Sequence, residues 1–313
     1  MSLELAIDGH AITRLGFVGL GVMGEPMCAN LLAKSGLPVC GADYDPAPLR
    51  ALEERGLESL DGASAVGAHA DLVFVCVANA DQLDEACFGS GGLLVNGHRV
   101  RVIVDCSTTS VERTREFARR AHEFGVIWVD APVARMREAA RNGTLLFMVG
   151  ADARLYESLS PLLRCMGSDI VHCGPSGSGQ VVKILNNKVL IEAVHSLAEA
   201  LAIARGAGVD GEVLFDALGK GSADSKALRF QGVKHLLPGD FPPRTFAAAY
   251  ARKDMGLALE LAGDVHVEAQ CARTTAAILD EAIAAGYGAD YYPVILRLIE
   301  AGANVGVKGE STA

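Results

Sequence analysis

Long apolar runs, basic clusters, paired cysteines and a leader-like N-terminus are all missing from this sequence, and each gap excludes a class of protein. No uninterrupted apolar stretch reaches the roughly 18 residues that a membrane-spanning helix needs. Basic residues number 28 against 38 acidic ones, a formal charge of −10, and no Lys/Arg run stands out, which is the wrong electrostatics for gripping nucleic acid or anionic membrane. Residues 1–8 lack a positive segment followed by an apolar core, so no secretory signal is expected. The eight cysteines contain no CxxC pair and several fall in apolar, strand-like runs. That usage fits buried reduced thiols, with neither disulfides nor a metal site, and implies a cytoplasmic protein. What is left is a small-molecule partner.

The chain has 313 residues, half of them apolar and only 21% charged, enough for about two domains with a core each. Residues 14–19 read as a short buried strand that leads into Gly19-Leu20-Gly21-Val22-Met23-Gly24 and then a helix to about Ser35. In this strand–turn–helix setting GxGxxG is a dinucleotide fingerprint. The first glycine permits the tight turn, the second lets backbone N–H groups approach a pyrophosphate, and the third lets helix and strand pack closely. The next strand, 38–43, ends on Asp43, whose carboxylate can accept from an adenosine ribose and repels a 2′-phosphate; Tyr44 follows, with no arginine to pair with that phosphate. The cofactor expected is NAD in preference to NADP. The competing role for Asp43 is a turn or cap, although Asp45 before Pro46 suits a helix cap better.

Further apolar strands are expected at 72–77, 100–105, 126–130, 145–149 and 169–173, with a helix over 111–124. Apolar on both faces, they suit a doubly wound parallel sheet, an α/β domain filling about the first 175 residues. Strand signals then stop. A long apolar helix is expected over 180–204, followed by helical segments at 212–218, 226–236, 245–262, 268–285 and 293–301, so the second half is all-helical. The expected domains are 1–177 and 178–313.

Ligands of such sheets bind beyond the carboxyl ends of the strands. Val77 and Ala78, ending the 72–77 strand, are therefore expected beside the cofactor. Asp105-Cys106-Ser107-Thr108-Thr109 follows the fourth strand, where hydroxyls can hold a ribose, an amide or a substrate carboxylate, or simply cap the next helix near Ser110. Ala134-Arg135-Met136-Arg137 follows the fifth and puts two guanidinium groups near the expected substrate, of which Arg135 can pair with a carboxylate, sulfonate or phosphate. Lys183 and Asn187 lie one turn apart on a face of the long helix. A lysine partly desolvated there has a lowered pKa and can give a proton to an alkoxide or take one from an alcohol, whereas a snorkelling lysine does neither. Asn187 can then hold Lys183 or a substrate oxygen.

Together these segments, with Met27, Asp130-Ala131-Pro132-Val133, Gly143-Thr144-Leu145, Gly179 to Asn187 and Lys253-Asp254, resemble the β-hydroxyacid dehydrogenase family over about 12–303. That family includes 3-hydroxyisobutyrate dehydrogenases, tartronate semialdehyde reductases and succinic semialdehyde (glyoxylate) reductases. The resemblance implies a Rossmann domain, an all-α second domain joined through one long helix, an active site between them, and a homodimer or homotetramer. It assigns Lys183 as catalytic lysine with Asn187 as partner, Ser107 and Thr108 to substrate and cofactor contacts, and Lys253 to the cofactor. Members acting on simple 3-hydroxy acids carry Ser-Gly-Gly where this chain has Ala134, Arg135 and Met136. That substitution is similar to the Gly-Arg-Thr loop of the sulfolactaldehyde reductase branch, whose arginine holds an anionic head group. The activity implied is NAD-dependent hydride transfer to or from a small 3-hydroxy acid or semialdehyde. The alternatives are a non-catalytic dinucleotide-binding scaffold or sensor, against which Lys183 counts, and a 6-phosphogluconate-type oxidative decarboxylase, which carries a glutamate where this chain has Leu190.

Overall fold

A hairpin that the sequence reading did not anticipate, β1 (Leu5–Ile7) with β2 (His10–Ile12), precedes the main sheet in the computed structural model, which describes residues 5–302 except 8, 96 and 244. The outer ends of the two expected domains, residues 1 and 313, lie outside the described residues. The main sheet is built from β3 (Leu15–Val18), β4 (Val39–Ala42), β5 (Glu58–Ser59), β6 (Leu72–Val75), β7 (Val102–Asp105), β8 (Ile127–Asp130), β9 (Val133–Ala134), β10 (Leu145–Gly150) and β11 (Gly167–Gly174). Its order is β5-β4-β3-β6-β7-β8-β10-β11, with β9 paired to β10. From β5 to β8 every neighbouring pair is parallel. The chain leaves β3 in one direction to β4 and β5 and returns on its other side at β6, so the topological switch point lies between β3 and β6.

The helices of this half are α1 (Gly24–Lys34), α2 (Pro46–Glu53), α3 (Gly62–His69), α4 (Ala80–Phe88), α5 (Val111–Glu123), α6 (Arg137–Asn142) and α7 (Ala153–Leu163). Strand residues alternate between two cores. Leu15, Phe17, Leu72, Phe74, Val102 and Val104 face one, and Val18, Val73, Val75 and Ile103 face the other. Burial on both faces is why these strands read as continuous apolar runs. Side-chain caps fix where the helices start: Asp45 accepts from Ala47 N at 2.9 Å with Pro46 opening α2, and Ser110 accepts from Arg113 N at 3.3 Å at the head of α5.

The sheet departs from the expected all-parallel order at one place. Strands β10 and β11 run parallel to each other, but β10 is antiparallel to β8 and β9. A parallel return needs a crossover long enough to pass back along the sheet. Here β9 carries the chain onward past β8, and α6, only six residues long, turns it straight back.

The division into two compact units falls between Lys183 and Ile184, inside α8 (Ser178–Gly206), a helix of 29 residues. The second unit continues with α9 (Gly211–Lys220), a π-helical stretch Leu228–Leu236, α10 (Ala248–Asp264), α11 (Gln270–Ala282), a further turn at Ile283–Tyr287 and α12 (Ile295–Gly302). Its core is a separate cluster around Ile191, Leu201, Met255, Tyr291 and Tyr292. Among the described residues, no helix is long and apolar enough to cross a membrane.

Candidate active site

In the first unit the glycine-rich turn sits at the switch point, and its three glycines are distinguishable by what surrounds them. Gly19 has φ +88°, and a Cβ there would lie 2.3 Å from the Cys76 carbonyl oxygen at the end of β6. At Gly24 a Cβ would lie 1.9 Å from the Gly19 carbonyl oxygen, so helix and turn touch backbone to backbone. A Cβ added at Gly21 would meet nothing within 4 Å. That open space before α1 allows the close approach a pyrophosphate needs, so the turn fits a dinucleotide. Leu20, Val22 and Met23 complete the turn, with Met23 in the cap position of α1.

Asp43 reaches back to this turn. Its Oδ2 accepts from Leu20 N at 2.5 Å and its Oδ1 from Asp45 N at 2.7 Å, so it holds the turn in shape as well as presenting a half-buried carboxylate. Asp43 thus has the turn role, whereas the helix cap belongs to Asp45. Tyr44 beside it is 95% exposed.

The loops after β6 and β7 are joined by Ser107. Its buried hydroxyl accepts from Val77 N at 3.0 Å, and its own N–H donates to Asp105 Oδ1 at 2.8 Å. Ala78 N donates to Gln82 Oε1 at 3.1 Å, and Thr108 is half-buried in the same loop. Asp130, at the end of β8, is buried and accepts from Gly177 N at 2.7 Å and Gln180 N at 3.1 Å. A carboxylate from a neighbouring strand therefore caps the helix that carries Lys183. The negative carboxylate meets the positive end of the helix dipole there. Lys183 is half-buried, the last residue of the first unit.

Arg135 is placed differently from the expectation of a substrate-facing guanidinium. Its Nη2 donates to Asp169 Oδ2 at 2.6 Å, and its Nη1 donates to Thr144 O at 2.5 Å and Ser168 Oγ at 2.8 Å. Its backbone has φ +85°, a left-handed conformation that glycine adopts freely and arginine only under strain. Arg137 opens α6, with Nη2 3.4 Å from Glu25 Oε2 of α1, and Met136 is the half-buried cap residue of α6.

In the second unit, Asn187 is 5% exposed and donates from Nδ2 to Asp254 Oδ2 at 2.6 Å, while its Oδ1 accepts from Asn186 at 3.0 Å. Lys253 Nζ lies 3.2 Å from Asp254 Oδ1 and 5.5 Å from the centre of the Tyr250 ring. Asp254, 4% exposed, thus orients two of the residues singled out in the sequence. Sequence reasoning gave Asp130, Gln180 and Asp254 no role of their own. Their signal was a charged or amide group in an otherwise apolar helix or strand end.

Asp105 and Asp130 are register partners on β7 and β8, both with no solvent exposure. Burial raises the Asp105 carboxyl to about 7; the Ser107 N–H works against this, and the Asp130 charge adds to it. Burial likewise raises Asp130 to about 6, against the pull of the Gly177 and Gln180 N–H groups. A carboxyl whose folded pKa lies above its unfolded value stabilises most below the unfolded pKa, and that stability is lost as pH rises through the folded one. The protein is therefore expected to lose stability between about pH 4 and pH 7, and Asp105→Asn, which keeps an acceptor for Ser107, flattens that slope. Thermal melts across this range check it; an unchanged slope removes Asp105 as its source.

Two family models together match nearly all of the chain. Residues 14–174 match the NAD binding domain of 6-phosphogluconate dehydrogenase, and residues 177–299 match the NAD-binding domain of NADP-dependent 3-hydroxyisobutyrate dehydrogenase. The chain is 35% identical over 296 residues to 2-(hydroxymethyl)glutarate dehydrogenase of Eubacterium barkeri, covering 95% of this chain and 98% of that one. It is 35% identical over 249 residues to 2-hydroxy-3-oxopropionate reductase of Escherichia coli K12, covering 80% and 84%. Among solved structures, Mycobacterium tuberculosis 3-hydroxyisobutyrate dehydrogenase with L-serine matches with TM-score 0.81 and 29% identity, over 92% of this chain and 99% of that one.

Proposed function

Because the chain belongs to the β-hydroxyacid dehydrogenase family and is an NAD(P)-dependent oxidoreductase of that family, we propose that it interconverts a small 3-hydroxy acid and its semialdehyde with NAD, using Lys183 as general acid and base. The observation that carries this reading is the placement of Lys183 in the first turns of a helix whose N-terminus is held at the carboxyl end of the sheet by Asp130.

When bound, the nicotinamide supplies or accepts the hydride. Gly19, Leu20, Gly21, Val22, Met23 and Gly24 cradle its pyrophosphate, Asp43 takes the adenosine ribose, and Val77, Ala78, Thr108 and Lys253 contact the remainder. In reduction the Lys183 ammonium gives its proton to the carbonyl oxygen as negative charge develops there; in oxidation the neutral amine takes the proton of the alcohol. Ser107 and Asn187 orient the substrate's oxygens by hydrogen bonds. NAD is favoured over NADP because the Asp43 carboxylate repels a 2′-phosphate and exposed Tyr44 offers no positive charge to offset it. Leu190, apolar and half-buried, provides no acid for a decarboxylase of the 6-phosphogluconate type.

The relatives' substrates share a hydroxymethyl or aldehyde carbon next to the carbon that bears, or leads to, a carboxylate, and 2-(hydroxymethyl)glutarate has a second carboxylate. A second anionic group, carboxylate or sulfonate, is recognised here by Arg135, which must then exchange Asp169 for the substrate; Met136 and Arg137 flank that position. Arg135→Ala is expected to raise KM for 2-(hydroxymethyl)glutarate about 10-fold more than for 3-hydroxyisobutyrate, the scale of one charge-assisted hydrogen bond. Equal effects on both substrates leave Arg135 as a brace for the loop and nothing more.

The partner of the protein chain itself is read as a second copy, in a homodimer or homotetramer. Leu185, Val189 and Ile203, which are 45%, 63% and 71% exposed, share one face of α8 in a stripe interrupted by Glu192, Ser196 and Glu199. Such a stripe suits self-association.

A further inference from the structure

A buried glutamine is costly unless both ends of its amide are hydrogen-bonded. Gln180 has no solvent exposure and meets that condition in an unusual way. Its Nε2 donates to Ser107 O at 2.8 Å, and its Oε1 accepts from Thr109 N at 3.3 Å. The amide thus spans Thr108 and pairs with the backbone on either side of it, as a neighbouring strand would. Its own backbone N–H is bound by Asp130 Oδ2 at 3.1 Å. Three hydrogen bonds therefore fix the first turn of α8 against the ends of β7 and β8.

Lys183 follows Gln180 by three residues, which places the two side chains on one face of the helix, and a helical side chain leans toward the N-terminal turn. Turning the first turn of α8 about its axis swings the Lys183 ammonium with it. Asp130 holds the helix end through the Gly177 and Gln180 N–H groups, and the two bonds across Thr108 add a restraint through the Gln180 side chain, on the face that Lys183 shares.

We propose that Gln180 is a positioning residue whose amide, clamped across Thr108, sets the rotation of the first turns of α8 and hence where the Lys183 ammonium meets the reacting oxygen. The proposal rests on Lys183 being the acid and base. Gln180 touches neither substrate nor cofactor in this role. Its effect on kcat runs through Lys183, which separates it from a residue that merely fills space or only braces the Ser107–Thr109 loop.

The test uses four full-length proteins: wild type, Gln180→Met, Lys183→Ala and the double variant. Each is assayed with NAD and 3-hydroxyisobutyrate, with NAD and 2-(hydroxymethyl)glutarate, and with NADH and 2-hydroxy-3-oxopropionate, alongside NADH binding by fluorescence. Gln180→Met, close in volume and without an amide, is expected to lower kcat about 10- to 100-fold, the scale of a misplaced reacting group, with KM and NADH affinity little changed. Added to Lys183→Ala it is expected to cost nothing further, because the group it positions is gone. An unchanged kcat, or the same factor lost in both backgrounds, overturns the proposal. Should Gln180→Met not fold, Gln180→Glu decides: its protonated carboxyl restores one donor and one acceptor, so its rate relative to wild type recovers as pH falls. A relative rate that is flat with pH overturns the proposal. An inactive wild type or a fully active Lys183→Ala sinks the lysine reading itself, and this inference with it; both are visible without any Gln180 variant.

Discussion

Lys183→Ala is expected to lower turnover by at least about 10²-fold, the usual scale for a general acid–base group, while leaving NADH binding intact. The two effects separate because the cradle proposed for the pyrophosphate is the turn at Gly19–Gly24, whereas Lys183 belongs to α8. Without its ammonium, negative charge that develops on the carbonyl oxygen must wait for water. Lys183→Arg is not expected to rescue the rate, since a guanidinium does not deprotonate near neutrality and is planar and broader. Steady-state rates with fluorescence-measured NADH affinity check this; near-normal turnover in Lys183→Ala removes the residue from the chemistry.

The glycine turn yields a second large effect with an internal control. Gly19→Ala meets two penalties at once: left-handed φ costs about 1–2 kcal/mol, and a Cβ pressed 2.3 Å from the Cys76 carbonyl adds roughly 1–3 kcal/mol of overpacking. Set against a total stability of about 5–15 kcal/mol for an ordinary domain, that loss lowers the melting temperature markedly. Gly21→Ala meets nothing within 4 Å and has no positive φ, so its melting temperature without cofactor stays put. Its NADH affinity is nonetheless expected to fall about 10-fold or more, because the new methyl occupies the pyrophosphate's space. Thermal melts and NADH titrations of both variants check the pair. If Gly21→Ala binds NADH as tightly as wild type, the pyrophosphate does not use that space.

The strands and the order of the two halves were legible because a sheet covered on both faces writes itself as apolar runs such as Leu72–Val75, and a helical half as the absence of such runs. The direction of β10 was not legible, since Leu145–Gly150 has the same composition as a parallel core strand and only the six-residue α6 before it betrays the return. Nor was β1–β2, whose three-residue strands are too short to carry a pattern. Within the site, Lys183 and the glycines announce themselves by residue type. Asp130 and Gln180 do not, because their partners lie 47 to 73 residues away in sequence and are backbone groups, which no side-chain pattern records. For Arg135, sequence gives charge without direction. Its pair with Asp169 and its φ of +85° are tertiary facts, although glycine at that place in the family it resembles already hinted at the backbone.

The reaction proposed is hydride transfer to or from a 3-hydroxy acid with Lys183 moving the proton. It is tested most directly by following NADH absorbance when wild-type protein and NAD are mixed with 3-hydroxyisobutyrate or 2-(hydroxymethyl)glutarate, and when NADH is mixed with 2-hydroxy-3-oxopropionate. The predicted result is NADH formation with a hydroxy acid, or its consumption with the semialdehyde, by the wild type and not by Lys183→Ala. A wild-type protein that binds NADH tightly yet changes its absorbance with none of these compounds contradicts it.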